Sequence, residues 1–382
     1  MNRLIQLLKK SIIQLPLWIF GRLCPINKKK VVVSSYYGKG FGDNPRYIVE
    51  ALKSKYPDIR IIWGVTDTKS REGFPEWVET CKYNGAKYVF HMATAKFWID
   101  NCRKGFVMFK RREQIYIQTW HGFALKRIEK DAAESLNDGY VSYAIKDSKN
   151  IDYIISCSSF MTEIYRKAFW YDGEILELGA PRNDVIINKG SECREKVYNA
   201  LGISPNRKTV MYAPTFRVDY SIDAYKIDYE RLIAACEKRF GGEFVALVRL
   251  HPNVSDKASE LLEYNNKILN ASLYPDMQEL LSACDIVISD YSSLMFDFAL
   301  SGKPCFQFAT DIGAYKSDRN FYFELDRLPF SLATDNDELE QNVLNFDSDS
   351  YGKSLGSFYS DCGMICDGKA SERCADLMIS KI

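Results

Sequence analysis

From Pro25 onward, short, continuous, β-branched apolar runs alternate with helix-like segments, and this pattern leaves the chain few folds. Val31–Tyr37, Arg60–Val65, Lys87–Phe90, Gln114–Thr119, Tyr153–Ser156 and Ile175–Leu178 form one series. Thr209–Ala213, Phe244–Leu250, Ile286–Ser289 and Cys305–Phe308 form a second. Runs that are apolar throughout, with no alternation, predict strands buried on both faces, as in parallel sheets covered by helices. Two such series predict an α/β chain of two Rossmann-like, doubly wound domains facing a cleft, with ligands at the carboxyl ends of the strands. The domains are expected over residues 31–195 and 196–382, joined in the polar stretch Asn183–Arg207. The length of 382 residues and 46% hydrophobic content are enough for two cores. Lys plus Arg total 51 against 50 for Asp plus Glu, so the basic excess of a nucleic-acid-binding protein is absent.

Charge is unbalanced only at the start, where no acidic residue precedes Asp43. At 100° per residue Leu4, Ile5, Leu7, Leu8, Ile12 and Leu15 share a face, opposite Arg3, Gln6, Lys9, Lys10 and Gln14. The uncharged run from Ser11 to Gly21 is too short to span a bilayer. Residues 1–30 therefore read as a basic amphipathic helix, followed by Trp18, Phe20 and Lys28–Lys30, that rests on an anionic membrane surface. A helix packed on its own domain is the competing reading. The 11 cysteines contain no CxxC pair and read as reduced thiols.

The candidate chemistry lies where strands end. His121, in Gln118-Thr119-Trp120-His121-Gly122, and His251, in Arg249-Leu250-His251-Pro252, occupy matching positions in the two halves, and imidazole takes or gives a proton near neutrality. His91 reads as structural. The segment Ser289-Asp290-Tyr291-Ser292-Ser293 leads into a helix from Leu294, putting Ser292 and Ser293 near free backbone N–H groups suited to an anion. Asp297, a turn further on, suits a ribose diol. Thr215 and Arg217 leave one strand, and Arg182 another. Asp335-Asn336-Asp337 and Asp347-Ser348-Asp349 match the metal-binding DxD pattern but lie in a stretch read as a solvated, strand-free loop, so no metal site and no cofactor is expected.

In their order, these segments resemble the CDP-glycerol glycerophosphotransferase family, the TagB/TagF-like enzymes of wall teichoic acid synthesis. The resemblance runs from about Val31 to the C-terminus. It rests on Tyr37-Gly38-Lys39, Asp43-Asn44-Pro45, Gln118–Gly122, Gly179-Ala180-Pro181-Arg182-Asn183-Asp184 and Tyr212–Arg217. Further on it includes Arg249–Pro252, Ser289–Ser293, Phe296-Asp297, Lys303-Pro304 and Asp367-Gly368-Lys369-Ala370-Ser371 with Arg373. Phe123-Ala124 departs from the family pattern. The resemblance implies a GT-B architecture and metal-independent transfer of glycerol phosphate from CDP-glycerol, releasing CMP. The implied acceptor is an undecaprenyl-diphosphate-linked saccharide or a glycerol phosphate chain, met at the cytoplasmic face of the cell membrane by a peripheral enzyme. It implies His121 as general base and His251, beside Arg249, on the donor phosphates. Thr215, Ser292, Ser293 and Arg319 are expected around those phosphates, Asp297 on the nucleotide, and Lys126 and Arg127 on an anionic acceptor. A CDP-ribitol or other polyol-phosphate transferase for wall or capsule polymer, a nucleotide-sugar transferase, and a non-catalytic, membrane-docked GT-B protein remain the alternatives.

Overall fold

The computed structural model describes residues 15–69, 73–104, 110–215, 217, 226–250, 263–312 and 321–382. The chain divides into two compact units. The first is drawn from Met1–His121, Glu129–Asp184 and Ile365–Ile382, the second from Gly122–Ile128 and Val185–Met364.

In the first unit, β1 (Asn27–Ser34), β2 (Arg60–Val65), β3 (Val78–Lys82), β4 (Ala95–Asp100), β5 (Ile115–Gln118), β6 (Tyr153–Ser156) and β7 (Glu174–Glu177) form one sheet in the order 3-2-1-4-5-6-7. Every pairing is parallel. The second unit repeats the plan with β8 (Lys208–Tyr212), β9 (Phe244–Val248), β10 (Ile268–Asn270), β11 (Ile286–Ser289), β12 (Cys305–Phe308) and β13 (Ser331–Ala333), in the order 10-9-8-11-12-13. The strand order reverses between β1 and β4 and again between β8 and β11, and at such switch points the loops part to leave room for a ligand.

Central strands are buried on both faces: Val31, Val32 and Val33 have no exposed surface, and Phe244–Val248 is buried throughout. The expected strand Lys87–Phe90 instead lies inside the helix Ala86–Thr94, whose buried Tyr88, Val89, Met92 and Ala93 recur at helical spacing. The strand beside β1 is the next segment, β4, whose Lys96 and Asp100 broke the apolar pattern. The first strand begins at Asn27 rather than Val31, so the segment 1–30 runs into the sheet.

Unit boundaries also depart from the expected 31–195 and 196–382. Helix Ala370–Ile379 belongs to the first unit, where Cys374, Ala375 and Met378 pack with Ile48 and Leu52 of helix Asp43–Lys55. Asp184 accepts the Ala370 and Ser371 N–H groups at the start of the C-terminal helix, at 3.1 and 2.7 Å. Arg373 donates to the Leu178 carbonyl at 2.9 and 2.7 Å. Gly179, at φ +89°, holds a backbone conformation that L side chains rarely adopt, and a Cβ there would press on Ala370 Cβ at 3.0 Å. The motifs Gly179–Asp184 and Asp367–Arg373 thus form the two sides of one docking joint.

Residues 15–23 are helical, while the amphipathic face at Leu4–Ile12 lies outside the described residues. Trp18 is buried against Trp98, with ring centroids 6.2 Å apart, so it belongs to the core and not to a membrane interface. Lys30 is also buried, with Nζ on Thr94 Oγ1, and drops out of the expected basic surface. None of the eleven cysteines is in a disulfide.

Candidate active site

The loops after β1, β4 and β5 meet at the first switch point, and His121 sits among them, half-buried. Its Nδ1 lies 2.6 Å from the Asn101 carbonyl oxygen. A carbonyl only accepts, so Nδ1 carries the proton and Nε2 keeps its lone pair. Burial pushes the imidazole below its ordinary value, against the opposing pull of the Asn101 hydrogen bond and the Asp43 charge. The ring is therefore neutral at physiological pH. It stacks on Trp120 at 4.3 Å and meets the Tyr36 ring at 5.6 Å.

A clamp from distant parts of the chain fixes this geometry. Arg182 Nη1 donates to Asp43 Oδ2 and to the His121 carbonyl, both at 2.7 Å. Tyr36 donates its hydroxyl to the same Asp43 oxygen at 2.7 Å and its N–H to Asn101 Oδ1 at 2.8 Å. Asn44 Nδ2 donates to the Trp120 carbonyl at 3.1 Å, and Asn44 Oδ1 accepts the Arg182 N–H at 3.0 Å. Burial alone would raise the Asp43 carboxyl. The Arg182 guanidinium, followed by His121 and the Tyr36 hydroxyl, brings it below the usual carboxylate range. Arg182, an anion-binding candidate by sequence, is a clamp residue.

Five of the seven non-glycine residues at positive φ among the described residues belong to this region: Tyr36, Tyr37, Asp43, Trp120 and Glu129. Each such residue costs about 1–3 kcal/mol, a strain that concentrates at functional sites. Beneath them lies a buried ionic cluster. Arg103, with no exposed surface, donates from Nε and Nη2 to Glu129 at 3.1 and 3.0 Å and from Nη1 to Ser148 at 2.8 Å. Its guanidinium also covers the Phe169 ring at 4.5 Å, and Phe169 meets Trp120 edge-on at 4.8 Å. Lys104 pairs with Asp100 at 2.8 Å.

In the second unit, Asp290 follows β11 and Thr215 follows β8, at that sheet's own switch point. Asp290 Oδ1 accepts the N–H groups of Thr215 and Tyr291 at 2.8 and 2.6 Å. Arg217 bridges Asp290 at 2.8 Å and Asp311 at 2.6 Å, and so holds the loop instead of awaiting an anion. Ser292 and Ser293, both half-buried, precede helix Leu294–Ala299, and the Ser293 side chain makes no cap hydrogen bond. Asp297 is buried and accepts from Gln278 Nε2 at 3.1 Å, so it is not the solvent-facing carboxylate a ribose contact calls for. Arg249 Nη1 donates to the carbonyls of Ala271, Ser272 and Tyr274 at 2.6–2.7 Å, which commits that nitrogen to the turn after β10. His251 and Arg319 lie outside the described residues.

Lys126 and the exposed Arg127 sit on an irregular segment that bridges Phe321 and belongs to the second unit. Phe123 is its anchor. Its buried ring lies 4.7 Å from that of Phe296 and 6.0 Å from that of Phe323. The DxD segments are not a loop, because Asp335 and Asp347 are the N-caps of helices Asn336–Leu344 and Ser348–Asp361. Among the described residues no three His, Cys, Asp or Glu side chains cluster as metal ligands.

Residues 19–380 match the family described as CDP-glycerol:poly(glycerophosphate) glycerophosphotransferase. The teichoic acid poly(glycerol phosphate) polymerase of Staphylococcus epidermidis is 34% identical over 371 residues, 92% of this chain, which spans 51% of that protein. A polymerase of the same name from Bacillus spizizenii is 31% identical over 94% of this chain and 93% of its own length. Among solved structures, a histidine-to-asparagine variant of the wall teichoic acid polymerase TagF, soaked with CDPG, superposes with a TM-score of 0.85 at 31% identity, covering 99% of this chain and 95% of that one. With two parallel α/β units on the plan of that structure and a family match along nearly its whole length, the chain belongs to the CDP-glycerol:poly(glycerophosphate) glycerophosphotransferase family.

Proposed function

We propose that this chain transfers glycerol phosphate from CDP-glycerol to a hydroxyl of an undecaprenyl-diphosphate-linked acceptor at the cytoplasmic face of the membrane, releasing CMP. One observation carries the reading: a neutral imidazole whose Nδ1–H is committed to the Asn101 carbonyl, leaving Nε2 as the base. In the proposed step the acceptor oxygen bonds to the phosphorus bearing glycerol, its proton passes to Nε2, and the bond from that phosphorus to the CMP oxygen breaks. The negative charge leaves with CMP. His251 and Arg319 are assigned to neutralise it, with Ser292, Ser293 and Thr215 offering hydrogen bonds and Asp297 lying behind the nucleotide contact. Lys126 and Arg127 are assigned to the acceptor's phosphates. Glycerol phosphate is preferred over ribitol phosphate because both relatives described above carry glycerol phosphate in their names.

The test uses radiolabelled CDP-glycerol, then CDP-ribitol, with a synthetic lipid-linked acceptor and excess EDTA. Transfer from CDP-glycerol is expected to persist in chelator, and counting added units separates one addition from many. Strict dependence on added Mg²⁺, or transfer from CDP-ribitol alone, overturns the assignment.

Membrane contact is part of the proposal. Helical residues 15–23 leave Leu15 57%, Ile19 54% and Leu23 82% exposed, a stripe at helical spacing that continues the Leu4, Leu8, Ile12 series of the sequence. No helix among the described residues is long and apolar enough to cross a membrane. Removing residues 1–14 spares Trp18 and β1, so it should leave the thermal transition in place. It should weaken sedimentation with anionic vesicles and lower activity on vesicle-borne acceptor, but not on a water-soluble analogue. Unchanged vesicle binding would refute the membrane role of these residues.

A further inference from the structure

We infer that the buried Asp147 is a positioning residue for His121, and that its charge decides, through Arg103, Phe169 and Trp120, whether the imidazole stands where the acceptor hydroxyl needs it. The inference rests on the proposed role of His121 as base and adds a second group on which that role depends.

The ionic cluster holds one acid too many. Asp100, Glu129 and Asp147 face two cations, Arg103 and Lys104, and all five side chains belong to buried residues. Two of the carboxylates are well served. Asp100 accepts from Lys104 Nζ at 2.8 Å, from the Cys102 N–H at 3.0 Å and from the Ser34 hydroxyl. Glu129 accepts from two Arg103 nitrogens and from the Tyr140 hydroxyl. Asp147 is left over. Its Oδ2 has no hydrogen-bond partner among the described residues, and Arg103 Nη1 stands off at 3.6 Å. It also sits in the last turn of helix Asp138–Ser148, where the helix dipole opposes a negative charge. Tyr116 of β5 and Tyr143 of the same helix face it as well and bring no positive charge. A carboxyl so placed keeps its proton near neutrality: burial pushes it up to about 7 against the pull of Arg103 and Lys104, with Asp100 adding to the rise.

From Asp147 a continuous set of contacts leads to His121. Arg103 Nη1 donates to Ser148 Oγ at 2.8 Å, and the Ser148 hydroxyl in turn donates to the Phe169 carbonyl. The Phe169 ring meets the guanidinium and, edge-on, Trp120, which stacks on His121. Asn101, whose carbonyl fixes the imidazole tautomer, lies on the same loop as Arg103. While Asp147 is neutral, Nη1 stays on Ser148. Once ionised, Oδ2 competes for Nη1 with the stronger bond a carboxylate forms, and the Ser148–Phe169 link behind Trp120 is disturbed. A close-packed interior passes such a shift on to its neighbours.

The experiment measures kcat across neutral pH with labelled CDP-glycerol and a soluble, short-chain lipid-linked acceptor, in the wild type, Asp147→Asn and Ser148→Ala. Wild-type kcat should fall about tenfold as Asp147 ionises, the scale of a small displacement of a reacting group, with KM for CDP-glycerol unchanged. Asp147→Asn cannot ionise and should keep its rate over the same range. Ser148→Ala breaks the link and should be slow throughout, with no step near neutrality. An alkaline fall that survives unchanged in Asp147→Asn overturns the inference.

Urea unfolding reads the titration itself. Asp147 holds its proton more tightly in the fold than in the unfolded chain, so its contribution to stability is complete below the ordinary carboxylate value of 3.8 and is lost as pH rises to about 7. The unfolding constant of the wild type relative to Asp147→Asn should climb about tenfold per pH unit on the approach to neutrality and level off above it. A flat ratio overturns the inference. Histidine-ring NMR separates it from the transfer reaction. The chain has three histidines, so the His121 signal is identified by its loss in His121→Ala. That signal should move near pH 7 in the wild type, apart from its own protonation below 6.5, and stay still in Asp147→Asn and Ser148→Ala. Such a step upholds the coupling even where no transfer occurs, and its absence from the wild type overturns it.

Discussion

Replacing His121 by alanine is expected to lower turnover about 10²-fold or more, the scale of a lost general base. The protein should still fold, because the clamp's bond from Arg182 goes to the His121 backbone carbonyl and not to the ring. Donor affinity should be preserved, whereas His251→Ala, on the same scale of lost turnover, should also weaken the response to CDP-glycerol. The pH profile gives an independent check. The base works unprotonated, and burial lowers the His121 pKa from the ordinary value of 6.5, so the acid limb of kcat/KM should have its midpoint below 6.5. Activity therefore persists into mildly acidic solution and is lost as pH falls through the lowered value. A limb centred above 6.5, or near-normal rates in His121→Ala, would remove His121 from the mechanism.

The second large effect concerns stability. Arg103→Ala leaves Glu129 and Asp147, 2% and 1% exposed, without their buried cation. Stranding buried charges in this way costs about 3–5 kcal/mol. Burial already pushes the Asp147 carboxyl up to about 7, against the pull of Arg103 and Lys104, so the variant has one cation fewer to keep it ionised. Equilibrium urea unfolding should show the first unit losing this much, and Arg103→Lys should not recover it, since an ammonium cannot make the fork to Glu129, Ser148 and the Phe169 carbonyl. Arg103→Met with Glu129→Gln should recover part of the loss. A cost below about 1 kcal/mol for Arg103→Ala would mean the cluster is solvated and not buried.

The sequence made the parallel sheets legible where their strands are mainly apolar, as in β2, β6, β11 and β12, which fall on the runs read from it, while the short or charge-bearing β3, β10 and β13 left no such run. It failed at β4, because four apolar residues in Lys87–Phe90 fit a helix face as well as a strand, while the true central strand carries Lys96 and Asp100. His121 was legible from its place after a strand. Its clamp was not: Asp43, Asn101 and Arg182 are far apart in sequence, and no spacing rule shows that a guanidinium near residue 180 reaches a carboxylate near residue 40. The DxD segments read in sequence as a solvated loop for a local reason, since a polar, strand-free stretch hides the two helices that Asp335 and Asp347 cap.

Helix Ala370–Ile379 completes the first unit's core from the far end of the sequence, and this sets the order of events on the ribosome. Domains commonly fold as they emerge, N-terminal first. Here the first unit must wait with Ile48 and Leu52 uncovered until residues beyond 364 have been synthesised. Residues 185–364 emerge before that and hold nearly all of the second unit, whose remaining piece, Gly122–Ile128, is already outside. The later-encoded unit is thus free to fold first. Throughout elongation the waiting half is the one that needs protection from aggregation, and its vulnerability ends only when the docking joint between Asp184 and Ser371 closes.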